Sequence, residues 1–395
     1  MKRLSLLLPL LLLGSVLGAL PTTSPATVAA ASTSYQPALP VNASVFYAVQ
    51  KASPSRVHPA KPAVVNDVEV IRKQVLDMQY AGQQVGLYSW LGRGSYPDQV
   101  FGSHLRGADD TTFRWAILNE NEGHGGNPSS TAARADLDWI YSRYGSDPNY
   151  FRIGGKPVMF LYGDAGDTCN AAARWEAADS AHRFYIVMKT VSGYAGCRPQ
   201  PQGWYGYAPA NGHWAQGNSF AVSPGFNKVG ESGPRLVRSV ARFASDVRAM
   251  KAAKVRFKII TTWNEWMEAT GVETAREWAS RSGHGAYVDQ LHSILGQAVS
   301  TPAAPTVLNA SVNGQDVTLS WNASSGATSY QVFRNGCLVA TVSSTSWTDS
   351  ALADASGSWF VKAANFRGTS RRGPVRMAAA GTPSAAAPSA RDGLV

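Results

Sequence analysis

The sequence predicts an α/β fold, a (β/α)8 barrel followed by a small all-β immunoglobulin-like sandwich. Three observations carry the expectation. Between residues 42 and 298, short apolar runs alternate with segments of helical periodicity, the pattern of parallel strands joined by crossovers. Polar and aromatic residues collect where those runs end, as a barrel with a site at its carboxyl face requires. From Pro302 onward the runs become short and alternating, with turn signals at Asn313-Gly314 and Asn335-Gly336.

Taken in order, Met1-Lys2-Arg3 and the apolar stretch Leu4 to Leu17 read as a secretory signal peptide, with a small-residue leader to residue 31. Residues 32–41 form a linker. The apolar stretch is short for a membrane span, and no second run of spanning length follows. The mature chain is expected to be secreted, with no membrane span. The first barrel strand is Val45 to Val49, followed by a helix from Asp67 to Tyr80 with Val68, Ile71, Val75 and Met78 at helical spacing. Val85 to Trp90 and Phe113 to Leu118 are strands. The helix Thr131 to Tyr144 is expected to bury Leu137, Ile140 and Tyr141. Strands at Pro157 to Tyr162, Phe184 to Lys189, Trp204 to Tyr207 and Ser219 to Val222 follow. A long helix from Pro234 to Lys254 leads into the strand Val255 to Ile260, and Tyr287 to Leu295 closes the barrel. The sandwich spans residues 303–381, and the Ala/Pro/Ser-rich tail 382–395 is expected to lack a core.

With 44% hydrophobic residues the chain can bury a large core. The net charge of +10 favours anionic surroundings such as cell-wall polymers. Lys and Arg are nevertheless scattered through the helices rather than gathered in a stripe, which argues against a nucleic-acid partner. Three cysteines fit an oxidising compartment. Cys169 and Cys197 fall in consecutive loops after strands, where a disulfide is reasonable, and three free thiols are the alternative. If they pair, Cys337 is left over, and it is expected inside the sandwich.

Chemistry concentrates in Thr261-Thr262-Trp263-Asn264-Glu265-Trp266-Met267-Glu268. Two carboxylates lie three residues apart where a strand ends, with two indoles between and beside them. Glycoside cleavage uses one carboxyl to protonate a leaving oxygen and another to assist attack at the sugar carbon. Aromatic faces give flat platforms for sugar rings. The alternative is that Glu265, Glu268 and Glu273 only enrich a helix N-terminus in acid. Other strand-end candidates for substrate contact are Tyr88, Trp90, Glu120, Tyr162, Trp263 and Asn264. Tyr88 and Tyr162 could equally be packing residues, and Trp90 and Trp263 could instead cap the barrel core. Asp164 lies at the same end. Glu120, Glu122 and His124 resemble a metal set only loosely, since no second His/Asp cluster accompanies them, so neither metal nor cofactor is expected. No Gly-x-Ser-x-Gly elbow supports a serine hydrolase.

Residues 41–297 resemble glycoside hydrolase family 99, the endo-α-1,2-mannosidase and endomannanase group. The resemblance rests on Val70 to Met78 leading into Gly86 to Trp90, and on Tyr144-Gly145 with Tyr150-Phe151-Arg152 leading into Pro157 to Tyr162. Ser223-Pro224-Gly225-Phe226 and Asn264-Glu265-Trp266-Met267-Glu268 complete it. It implies that Glu268 is the acid/base for the leaving oxygen. Glu265 would deprotonate the substrate's own 2-hydroxyl, giving a 1,2-anhydro sugar that water opens with retention. The family's motif usually continues His-Glu-Gly-Thr, where this chain has Met267-Glu268-Ala269-Thr270. Its Pro-Gly-Tyr is Pro224-Gly225-Phe226 here, and its first-strand Tyr-Tyr-x-Trp-Tyr is Phe46 to Gln50. These departures leave the sugar open. Residues 303–380 resemble a fibronectin type III domain. The competing expectations are a carbohydrate-binding protein without turnover and a surface adhesin acting through the sandwich.

Overall fold

The computed structural model describes residues 35–48, 66–109, 111–120, 127–163, 167–296, 301–350, 356–365 and 368–378. The leader, Glu122, His124, Asp164 and the tail 382–395 lie outside the described residues.

Among the described residues eight strands form the barrel: β1 (Val41–Phe46), β2 (Val85–Trp90), β3 (Arg114–Asn119), β5 (Lys156–Leu161), β6 (Tyr185–Lys189), β7 (Gly203–Tyr205), β9 (Ser219–Val222) and β10 (Phe257–Ile260). Their order is β7-β6-β5-β3-β2-β1-β10-β9, each parallel to its neighbour. Two short strands are antiparallel additions: β4 (Arg152–Ile153) on β5, and β8 (His213–Gln216) on β9. The seam between β7 and β9 is closed by the Asn218 amide donating to the Trp204 carbonyl at 2.8 Å. Gly217, at φ 62°, permits this approach, since a Cβ there would lie 2.6 Å from the Trp204 carbonyl oxygen.

Six α-helices are described on the outside of the barrel: α1 (Val68–Tyr80), α2 (Tyr96–Gly107), α3 (Ser130–Tyr144), α4 (Cys169–Ala178), α5 (Val240–Ala252) and α6 (Ala286–Leu295). Asp67, Ser95, Ser129, Thr168 and Ser239 cap the first five, each accepting from a first-turn amide. The links β6–β7 and β7–β9 carry single 3-10 turns and no α-helix among the described residues. Helices α2 and α4 were not expected, although Ser95 followed by Pro97 is a start signal. Helix α5 begins six residues later than the sequence predicts. Residues 234–239 are extended because Leu236 pairs with Phe226 through two backbone hydrogen bonds. Tyr141, expected in the core, is 40% exposed and edges onto Phe184.

The two faces of the barrel strands bury separate cores. Val45, Val85, Leu87, Leu118, Phe160, Tyr205, Phe257 and Ile259 fill the interior. Tyr88, Trp90, Trp115, Ile117 and Met159 face outward against Ile71, Phe101 and Leu137 of the helices. This is the layered packing expected of the fold.

The C-terminal part has two antiparallel sheets, one of strands 308–313, 316–321 and 346–349, the other built on 329–334, 337–342 and 357–365. Trp321, Tyr330, Val332, Trp359 and Val361 form its core. Cys337 is exposed rather than interior, because it opens a strand directly after the Asn335-Gly336 turn. Cys169 and Cys197 are joined by a disulfide that ties the start of α4 to the loop after β6.

Candidate active site

Strand parity decides which side chains reach the carboxyl mouth. Positions continuing the interior face are Tyr47 after β1, Ser89 on β2, Glu120 after β3, Tyr162 after β5, Lys189 on β6 and Tyr207 after β7. All six line one cavity of about 810 Å³. Glu265, Trp266 and Glu268, on the loop after β10, complete the wall together with Phe226, Lys228 and Arg235.

The structure also corrects three expectations. Tyr88 and Trp90 are fully buried on the outer face of β2, where the Tyr88 hydroxyl donates to the Pro97 carbonyl and the Trp90 indole donates to Asp98. Trp263 is likewise fully buried, in the layer between strands and helices. Trp266 is the indole that lines the cavity, stacked on Trp278 with centroids 6.0 Å apart. Asn264 touches the cavity, but its amide serves the backbone. Its Oδ1 accepts from the Tyr47 amide at 2.8 Å, and its Nδ2 donates to the Tyr47 carbonyl at 3.0 Å. Glu120 and Tyr162 line the cavity. Tyr47, Ser89, Lys189 and Tyr207 were not picked out from the sequence, although counting by two from each strand's apolar positions finds them.

The segment 261–274 is a folded loop rather than a helix start, so Glu265, Glu268 and Glu273 do not cap a helix. The Thr262 amide donates to the Thr270 carbonyl at 2.9 Å, and the two hydroxyls lie 3.0 Å apart. The Thr262 hydroxyl oxygen accepts from the Glu265 amide at 2.9 Å, and the Thr270 hydroxyl donates to Glu265 Oε2 at 3.0 Å. The Glu265 carboxyl is thereby aimed from a fixed base.

Electrostatics separate the two acids. Burial pushes Glu265 up to about 8, and the charges of Glu268 and Glu120 push the same way, against the hydroxyl of Thr270. The protonated form of Glu265 is therefore favoured at neutral pH. Glu268, half-buried, lies within the field of Arg235. Tyr47 and Tyr207 share a hydrogen bond, and burial followed by nearby carboxylates holds both phenols well above their usual range. Lys189 sits 4.0 Å over the Tyr162 ring and donates to the Gly163 carbonyl at 2.6 Å. Among the described residues no cluster of three or more His, Cys, Asp or Glu side chains is placed to hold a metal ion.

Ala269 has φ 53°, a left-handed conformation that disfavours a Cβ. Replacing it by glycine is expected to stabilise the protein by about 1 kcal/mol, read as a higher midpoint in chemical denaturation. An unchanged or lower midpoint would show that the loop carries no such strain.

No family model and no curated protein matches the chain. Among solved structures, the GH99 endo-alpha-mannosidase from Bacteroides thetaiotaomicron is similar, with TM-score 0.53 and 19% identity over 65% of this chain and 95% of that one. A second structure of that enzyme gives 0.50 and 17%, over 65% and 96%. An Fn3-like protein from Clostridium thermocellum is 31% identical over 20% of this chain and 92% of its own, at TM-score 0.19. At these identities the likeness of the first two is one of fold, and the barrel of this chain resembles the glycoside hydrolase family 99 structures.

Proposed function

We propose that the chain is a secreted retaining glycoside hydrolase acting on α-mannoside-type polysaccharide or glycan chains, with Glu265 and Glu268 as its working carboxylates. The observation that carries this reading is that both glutamates enter one aromatic-walled cavity at the carboxyl mouth of the barrel, coupled strongly enough that Glu268 helps raise Glu265. A pair sharing one proton is what acid–base cleavage needs.

At rest the proton sits on Glu265. Bound sugar would strip water from half-exposed Glu268, while a substrate hydroxyl donating to Glu265 would favour its charged form. Substrate binding then moves the proton to Glu268, which delivers it to the leaving oxygen. Glu265, now ionised, takes the 2-hydroxyl proton as that oxygen attacks the anomeric carbon. Water then attacks the anomeric carbon, its proton passing to Glu268, while the bond from that carbon to the 2-oxygen breaks and Glu265 returns its proton to the 2-oxygen, so the configuration is retained. The disulfide between Cys169 and Cys197 supports action outside the cytoplasm. The sandwich serves as a spacer or a weak contact to surface polymer.

The test is digestion of α-mannan, with the anomer of the first product followed by proton NMR. Release of the α-anomer supports the reading. Binding of mannan without any turnover would favour a carbohydrate-binding protein instead.

A further inference from the structure

Cations as well as carboxylates enter the cavity, and they stand in a defined place. Residues 226 and 236 pair as a narrow antiparallel ribbon, with the Phe226 amide donating to the Leu236 carbonyl at 2.9 Å and the reverse bond at 3.0 Å. Lys228 and Arg235 project from its two arms, both exposed and both lining the cavity. The ribbon is tied to the acid loop, since the Asn227 amide donates to the Glu268 carbonyl at 2.8 Å. Arg235 also holds Glu231 at the ribbon's turn, which orients its guanidinium. Across the cavity Lys189 lies over the Tyr162 ring. Lys189, Lys228 and Arg235 thus enter the cavity alongside Glu120, Glu265 and Glu268, with Glu231 pairing Arg235 at its edge. A neutral sugar gains little from two exposed cations beside its leaving oxygen, whereas an oxyanion meets both at once. The net charge of +10 favours approach of an acidic polymer to the protein as a whole.

We propose that the sugar lodged against Lys228 and Arg235 carries an oxyanion, a uronate carboxylate or a phosphate ester, so that the substrate is an acidic glycan. The inference rests on the glycosidase reading and narrows it. The cations recognise and orient the anionic ring, and the carboxylates perform the cleavage.

The full chain carrying Glu265→Gln is titrated calorimetrically with three probes: neutral α-mannotetraose, the same tetraose bearing a 6-phosphate, and a tetrasaccharide of uronic acid. Binding of either acidic probe about tenfold tighter than the neutral one is expected. That advantage should shrink as salt is raised from 50 to roughly 500 mM, because exposed charges are screened. It should vanish when Lys228→Met and Arg235→Met are added. The two acidic arms separate carboxylate from phosphate. Equal binding of neutral and acidic probes, or an acidic preference that survives the double replacement, overturns the proposal and leaves the glycosidase reading standing. If none of the probes binds and no polysaccharide is cleaved by the parent chain, both readings fall together.

Discussion

Glutamine at Glu265 is expected to lower turnover by about 10²–10⁴-fold, and glutamine at Glu268 to do the same on natural substrates. The two variants should part company on a mannoside with a good leaving group, such as the glycosyl fluoride. A fluoride departs without help from an acid, so Glu268→Gln should regain its first step, read as a burst of fluoride release. Glu265→Gln should not, because the 2-hydroxyl still has to lose its proton. Rescue of Glu265→Gln instead would exchange the roles, and equal loss in both on every substrate would remove the acid–base division.

The same substitution has a consequence for stability, with a sign set by the raised pKa. Unfolded, Glu265 titrates near 4.5; folded, near 8. Between these values the native chain keeps a proton that the unfolded chain has lost, so Glu265 costs stability progressively as pH rises through that window. Its stabilising contribution is fully present below about 4.5 and lost above about 8. Glu265→Gln should therefore be more stable than the parent at pH 9, on the order of 2–4 kcal/mol, with the difference small at pH 4. Urea midpoints at the two pH values measure it. A difference independent of pH would mean that Glu265 titrates like an ordinary carboxylate.

Arg238→Met is the second substitution expected to have a large effect. Arg238 donates to the Ala269 carbonyl at 2.6 Å and to the Gly271 carbonyl at 2.9 Å, beneath the loop that presents both glutamates. Its guanidinium lies 3.8 Å over Trp278 and 4.4 Å over Tyr287, and burial pulls it down to about 10. Methionine keeps the apolar stem but frees two carbonyls and leaves the rings without their cation. A loss of about 3 kcal/mol in stability is expected, with turnover down by about tenfold to 100-fold as the loop loosens. Turnover falling with stability unchanged would place Arg238 at the substrate instead of under the loop.

Much of the barrel was legible because parallel strands buried on both faces read as continuous apolar runs, and Asp67 and Ser129 announce their helices. The site was legible only in part, for the same reason. A run such as Val85-Gly86-Leu87-Tyr88-Ser89-Trp90 shows no polar alternation to reveal which face is inward. The bulky aromatics Tyr88 and Trp90 drew attention, whereas small Ser89 holds the cavity position. Glu120 and Tyr162 were recoverable because polar groups end their strands. The extended segment before α5 was hidden because Leu236, Val237 and Val240 keep a helical spacing that tertiary pairing with Phe226 overrides.

The amide of Asn264 grips the backbone of Tyr47 from 217 positions along the chain. A ribosome must therefore release nearly the whole barrel before the cavity can exist, since its first wall waits for its last. A fragment ending before residue 264 would lack both glutamates of the loop as well as α6, so its mouth would be without one wall.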